Sequence, residues 1–210
     1  MPKQLFQDYM ALNKNRKGDF IITKYGHAVW PLDPNPEEID IKDIAYALAF
    51  QNRYAGHAGL YSVAQHSLAI SRLTRPENAL WGLLHDAEEA YLPDIPSPVK
   101  RFISEYKTAG KKLHAVICQK FGMAVEEPAE ILELDQRIVV NEMTELMPEF
   151  PFEFEFKDKA LSIDFAAAAY LNYNPYRVWK IFLDRFQWLT TGEGKDPANK
   201  YPNPFYPEGE

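Results

Sequence analysis

From Asp40 to Leu189 the apolar residues return every three or four positions, in segments that open on Asp, Ser or Asn and close on Gly or Pro. A chain patterned this way presents apolar stripes on helices and must bury them against one another. The first segment opens on Asp40 as N-cap, carries Asp43 in its first turn and Ile41, Ile44 and Leu48 at helical spacing, and stops before Tyr54-Ala55-Gly56. Ser62 and Gln65 make a capping box at the head of SVAQHSLAISRL. A third helix is expected over ENALWGLLHDAEEAYL, halted at Pro93. A fourth runs from about Lys100 to Phe121 with Gly122 behind it, and a fifth from about Pro128 to Met147. Two more are expected at Asp158 to Tyr170 and Asn174 to Leu189.

Ahead of Asp40, Phe20 to Trp30 holds two β-favouring runs divided at Tyr25-Gly26, which predicts a small hairpin. The alternating Phe150 to Phe156 stretch fits a strand or a loop equally. The expected fold is therefore mostly all-α, a helical bundle with a small N-terminal β-hairpin. At 210 residues and 46% hydrophobic the chain fills one core and is short for two. It reads as a single domain over residues 1–189, with an irregular tail, 190–210, dense in Pro, Gly and charge.

The formal charge of −7 argues against a surface that wraps nucleic acid, which needs many Lys and Arg contacts to phosphate. A small ligand is the better expectation, and an anionic one is admissible where a metal and a few basic residues reverse the local field. The start lacks a secretory pattern and no apolar run is long enough for a bilayer, so a cytoplasmic location with no membrane partner is expected. Cys118 is the single cysteine and reads as packing.

Against this background the titratable residues stand out. There are five histidines, and His66 and His85 lie on consecutive expected helices, 19 residues apart, so that an antiparallel return brings both imidazoles to one point. Asp86 follows His85 within a strongly apolar helix, and Asp135 sits amid Leu132, Leu134, Ile138 and Val139. Buried titratable groups need a cationic partner, and two His with two Asp suit a divalent metal that keeps a position open for water. Each alone has a plain structural explanation; their conjunction points to a metal. Glu89 shares the face of His85 and Asp86, where it can take a proton from water, and Asp94 lies just past the helix, placed to protonate a leaving oxygen. Arg53 and Lys100, on flanking loops, are candidates for holding phosphate, and Tyr54 and His57 for stacking on or bonding to a base or sugar.

The order His66, His85-Asp86, Asp135 resembles the HD-domain phosphohydrolases. More closely, YSVAQHS, HDAEEAYLPDIPSPVK and LDQRIVVNEM are similar to bacterial and prophage HD proteins related to the 5′-deoxynucleotidases, over a motif core of residues 30–147. The resemblance implies one divalent metal (Mn, Co, Mg or Zn) on His66, His85, Asp86 and Asp135, with Glu89 and Asp94 in catalysis. It implies nucleotide contacts by an Arg-aromatic pair, matched here by Arg53-Tyr54 with Tyr where Trp is usual. HD enzymes with more metals recruit extra histidines between the dyad and the last Asp, an interval that holds only His114 here. The same shortage weighs against the HD-fold oxygenases that use two irons. The implied activity is hydrolysis of deoxynucleoside monophosphates. Release of triphosphate from deoxynucleoside triphosphates, a regulatory nucleotide-binding protein without turnover, and a non-nucleotide phosphatase stay open. Family analogy points to a homodimer through outer helices.

Overall fold

The structure, a computed structural model, describes residues 6–148 and 160–194. The described chain is mostly helical with one small antiparallel sheet. A short helix, α1 (Phe6–Leu12), precedes the hairpin, whose strands β1 (Ile21–Ile22) and β2 (Ala28–Val29) pair Ile21 with Val29 and Ile22 with Ala28. Gly26, at φ +83°, supplies the left-handed residue of the turn between them. Strands this short are not stable alone. The hairpin is instead clasped by Asp43, which is buried and accepts from Thr23 Oγ1 (2.8 Å), the Tyr25 N–H (2.9 Å) and His27 Nδ1–H (2.6 Å).

Asp43 rides on α2 (Ile41–Phe50), which starts as expected with Asp40 accepting from the Lys42 N–H. The capping box of α3 (Val63–Leu73) closes in both directions: Ser62 Oγ accepts from the Gln65 N–H and Gln65 Oε1 from the Ser62 N–H. Every residue of α3 except Arg72 is buried. One side packs into a core with Leu48, Leu84, Leu113 and Phe182; the other joins Tyr61, Ile131, Ile138 and Phe165. The helix is thus a central post with apolar partners all round it.

The third expected helix is broken in two. α4 (Ala79–Leu84) ends at His85, Asp86 leaves helical angles (φ −104°, ψ 20°), and a 3-10 turn follows at Ala87–Ala90. The cause is local: His85 Nδ1–H donates to the Gly82 carbonyl (2.8 Å), the acceptor that the Asp86 N–H would use if the helix ran on. The fourth follows its expected span as α6 (Ser104–Phe121), ended by Gly122 at φ +67°, and the segment before it, expected as loop, holds a short helix, α5 (Ser97–Lys100). α7 (Ala129–Leu146) follows its expected span. Of the helix expected at Asp158 to Tyr170, α8 (Phe165–Ala168) is the helical part among the described residues, and Tyr170 at φ +52° turns the chain away. Asp158 and the Phe150 to Phe156 stretch lie outside the described residues, as does all of the tail after residue 194. α9 (Pro175–Thr191), capped by Asn174, closes the bundle against α2 and α4. No helix among the described residues is long and apolar enough to cross a membrane.

Candidate metal centre

Two neighbouring helices set the distance between the histidines. Gly82 lets α4 approach α3 so closely that a Cβ at this position would meet Ser71 Cα at 3.3 Å and the side chains of Ile70 and Ile131 at 3.2 Å. His66, fully buried on α3, and His85, at the end of α4, then bring their Nε2 atoms to 3.1 Å. Asp135 of α7 places Oδ1 3.0 Å from His66 Nε2, and Asp86 Oδ2 lies 3.2 Å from His85 Nε2 and 3.7 Å from His66 Nε2. His66, His85 and Asp135 offer donor atoms all within 4.8 Å of one another, a group able to hold a metal ion.

The far side of each imidazole decides what the near side can do. His66 Nδ1 lies 2.7 Å from Glu142 Oε1, and an ionised carboxylate only accepts, so Nδ1 carries the hydrogen. His85 Nδ1 is likewise a donor, to Gly82 O. Both Nε2 atoms are left with lone pairs facing each other across 3.1 Å, beside two carboxylates. That arrangement needs positive charge, as a proton or a cation. Burial alone would lower the pKa of His85, yet Asp86 and Asp135 raise it to about 9. The negative field that holds a proton there suits a divalent ion equally, and imidazoles oriented through their other nitrogen are the usual state of metal-ligating histidines. The donor set fits a metal.

Glu142 is the residue sequence reasoning missed. It is fully buried and collects four donors: Tyr61 Oη (2.8 Å) and His66 on one oxygen, Arg53 Nη2 (3.1 Å) and a short bond from Tyr54 Oη on the other. Burial opposes its charge, but His66 and Arg53 hold its pKa at about 2. A signal was present in the sequence. Ile131, Leu134 and Ile138 form the buried stripe of α7, and Glu142 continues that stripe with a charge.

The other expected site residues divide into two groups. Arg53 and Tyr54 are bound into this network: Arg53 reaches Glu142 and stands 3.6 Å from Asp86, rather than facing an open phosphate site. Their turn is strained, since Tyr54 and Ala55 both have positive φ (55° and 52°), and it is fastened by the Arg53 N–H to Tyr61 O (2.8 Å). His57 is exposed just beyond, its N–H closing the turn on Tyr54 O.

Glu89 and Lys100, by contrast, line a cavity of about 540 Å³ whose floor includes His85, Asp86 and Asp135. Burial, with Asp86 and Asp94 nearby, pushes Glu89 up to about 9, and Gln51 Nε2 donates to it at 3.3 Å. Asp94 is exposed and pairs with Lys100 Nζ at 2.7 Å. His114 also borders the cavity, with its two nitrogens 3.3 Å from Cys118 Sγ and Glu88 Oε2 on opposite sides of the ring, so this trio does not converge on one point.

Two bacterial proteins, both named as uncharacterized, are similar to parts of the chain. YfdR of Escherichia coli (strain K12) is 47% identical over 90 residues, 42% of this chain and 51% of that protein. A protein of Rhodobacter capsulatus is 40% identical over 111 residues, 48% of this chain and 57% of its own length. The chain thus spans about half the length of the relatives it matches. No protein-family model matches it.

Proposed function

We propose that this chain is a metal-dependent phosphohydrolase of the HD type acting on nucleotides, with one divalent ion (Mn, Co, Mg or Zn) held by His66, His85, Asp86 and Asp135. The observation that carries the reading is the meeting of two oriented imidazoles and two carboxylates, of which His85, Asp86 and Asp135 line a cavity that also holds Glu89 and Lys100. A divalent ion supplies Lewis-acid charge to a phosphoryl oxygen and acidifies water, from about 15.7 toward 7 in the case of zinc.

The protein's own residues do the rest. Lys100 brings an ammonium to the phosphate, and Asp94, paired with it, keeps that ammonium at the cavity and remains the candidate acid for the leaving oxygen. Glu89 holds a proton at neutral pH beside Asp86 and Asp94. Positive charge gathered at the floor lowers its pKa and readies its carboxylate to take a proton from the attacking water. Glu142, through His66 Nδ1, keeps the Nε2 lone pair aimed at the floor.

The test is phosphate release from deoxynucleoside mono- and triphosphates across manganese, cobalt, magnesium and zinc, with phosphate and triphosphate resolved. Asp86→Ala should abolish metal-dependent release while circular dichroism shows helicity intact. Undiminished release in the presence of a chelator sinks the proposal.

A further inference from the structure

A turn at the surface is wired to a buried metal ligand. Ala55, Gly56 and His57 are exposed, while His66 is fully buried, and Glu142 spans the distance with its two oxygens. Oε1 accepts from His66 Nδ1 (2.7 Å) and Tyr61 Oη (2.8 Å); Oε2 accepts from Arg53 Nη2 (3.1 Å) and Tyr54 Oη. One oxygen thus serves the imidazole and the other serves the turn. The Arg53 guanidinium also lies 5.4 Å from the centre of the Tyr54 ring, so the two turn residues brace each other. The backbone between them and the surface is strained, with Tyr54 at φ 55° and Ala55 at φ 52°. Residues with a Cβ keep the left-handed region only where their surroundings over-determine it. Here the Gly56 and His57 N–H groups close on Arg53 O and Tyr54 O, both at 3.0 Å, and the two side-chain bonds to Oε2 complete the fastening. When such a turn opens, Glu142 loses donors that fix its carboxylate.

We propose that the Arg53-Tyr54 turn is a positioning element for the metal ligand His66, acting through Glu142, so that closure of the turn and occupation of the metal centre favour each other. The inference rests on the metal-binding part of the proposed function and is independent of the nucleotide. A carboxylate held in one pose holds the imidazole in one pose, with Nε2 toward His85 and Asp135; a loosened carboxylate lets the ring wander. Linkage makes the effect reciprocal. If a closed turn raises metal affinity by some factor, a bound ion raises the closed-to-open ratio of the turn by the same factor. Tyr54 is the residue on which this coupling hinges, because its backbone carries strain and its hydroxyl supplies a bond that offsets it. Tyr61 stands apart: its hydroxyl is buried against Oε1, on the imidazole side of Glu142. A contact made at the exposed residues of the turn is thereby felt at the metal.

Hydrogen–deuterium exchange of the full chain, with and without a saturating ion, tests the coupling apart from turnover. The ion is the tightest-binding of manganese, cobalt, magnesium and zinc in calorimetric titration. In wild type it should slow the amides of Arg53, Gly56 and His57 about fivefold or more, while those of Tyr25 and His27 in the hairpin keep their rate. Tyr54→Phe should bind the ion about fivefold or more weakly, and its turn amides should no longer respond to it. Tyr61→Phe should also bind more weakly yet keep the response, since Oε2 and the turn are untouched. Wild-type turn amides indifferent to the ion, or hairpin amides slowed equally, overturn the proposal. So do unchanged affinity or a persisting response in Tyr54→Phe, and a response lost equally in Tyr61→Phe, which would mark a general loosening. A bound ion without effect on the turn leaves the metal-centre reading standing. Coupling without hydrolysis of any nucleotide removes the phosphohydrolase reading and leaves the coupling, and no ion bound by wild type overturns both.

Discussion

Glu142 ties four side chains from α3 and the segment before it to α7, and its removal should be felt twice. Glu142→Ala leaves the Arg53 guanidinium buried without its main counter-charge, which should cost roughly 3–5 kcal/mol in a denaturant-unfolding measurement. Glu142→Gln keeps the shape and an amide oxygen that can accept from His66 Nδ1 and should cost less, whereas Glu142→Ala should weaken metal binding by about tenfold to a hundredfold, because His66 loses its orienting acceptor. The same carboxylate predicts acid sensitivity. Its pKa is about 2 in the fold and higher in the unfolded chain, so the unfolded state takes up the proton first and stability falls as pH drops from about 4.5 to about 2. The loss should be on the order of 3 kcal/mol, read from unfolding curves across that window and absent in Glu142→Gln. His85 acts in the opposite sense: raised to about 9, it keeps a proton that a metal must displace. Metal affinity should therefore rise from pH 6 to pH 9, and a flat profile in metal titrations would contradict the assigned ligand.

At the scale of elements, the decisive contact is the close approach of α3 and α4 at Gly82. Gly82→Val should force the helices apart at a cost of about 1–3 kcal/mol and separate the two Nε2 atoms, so that metal affinity falls even where the variant folds. Much of this level was legible in the sequence. Ser62-Gln65, Asp40 and Asn174 announce their caps in local chemistry, and each cap forms. The break at His85-Asp86 was not legible, because its cause is an imidazole turning back on its own helix, which no apolar period records. Residues whose chemistry is a matter of type and spacing, His66, His85, Asp86 and Asp135, could be gathered from the string. Arg53 could not be assigned, since an arginine reads alike whether it faces solvent or a buried glutamate 89 positions on.

For the whole molecule, both apolar cores form around α3 without help from the titratable cluster between them. Chelation should therefore lower the melting temperature without melting the fold. An ion at about a hundred times its dissociation constant adds about 2.7 kcal/mol, which corresponds to a rise of roughly 5–10 °C for a chain of this size, with far-ultraviolet circular dichroism unchanged. The hairpin stands differently toward the whole. Its strands are two residues each, and Asp43 alone receives bonds from Thr23, Tyr25 and His27. Its amide hydrogens should thus exchange with deuterium as one group, at the rate at which Asp43 lets go, and well ahead of those in α3.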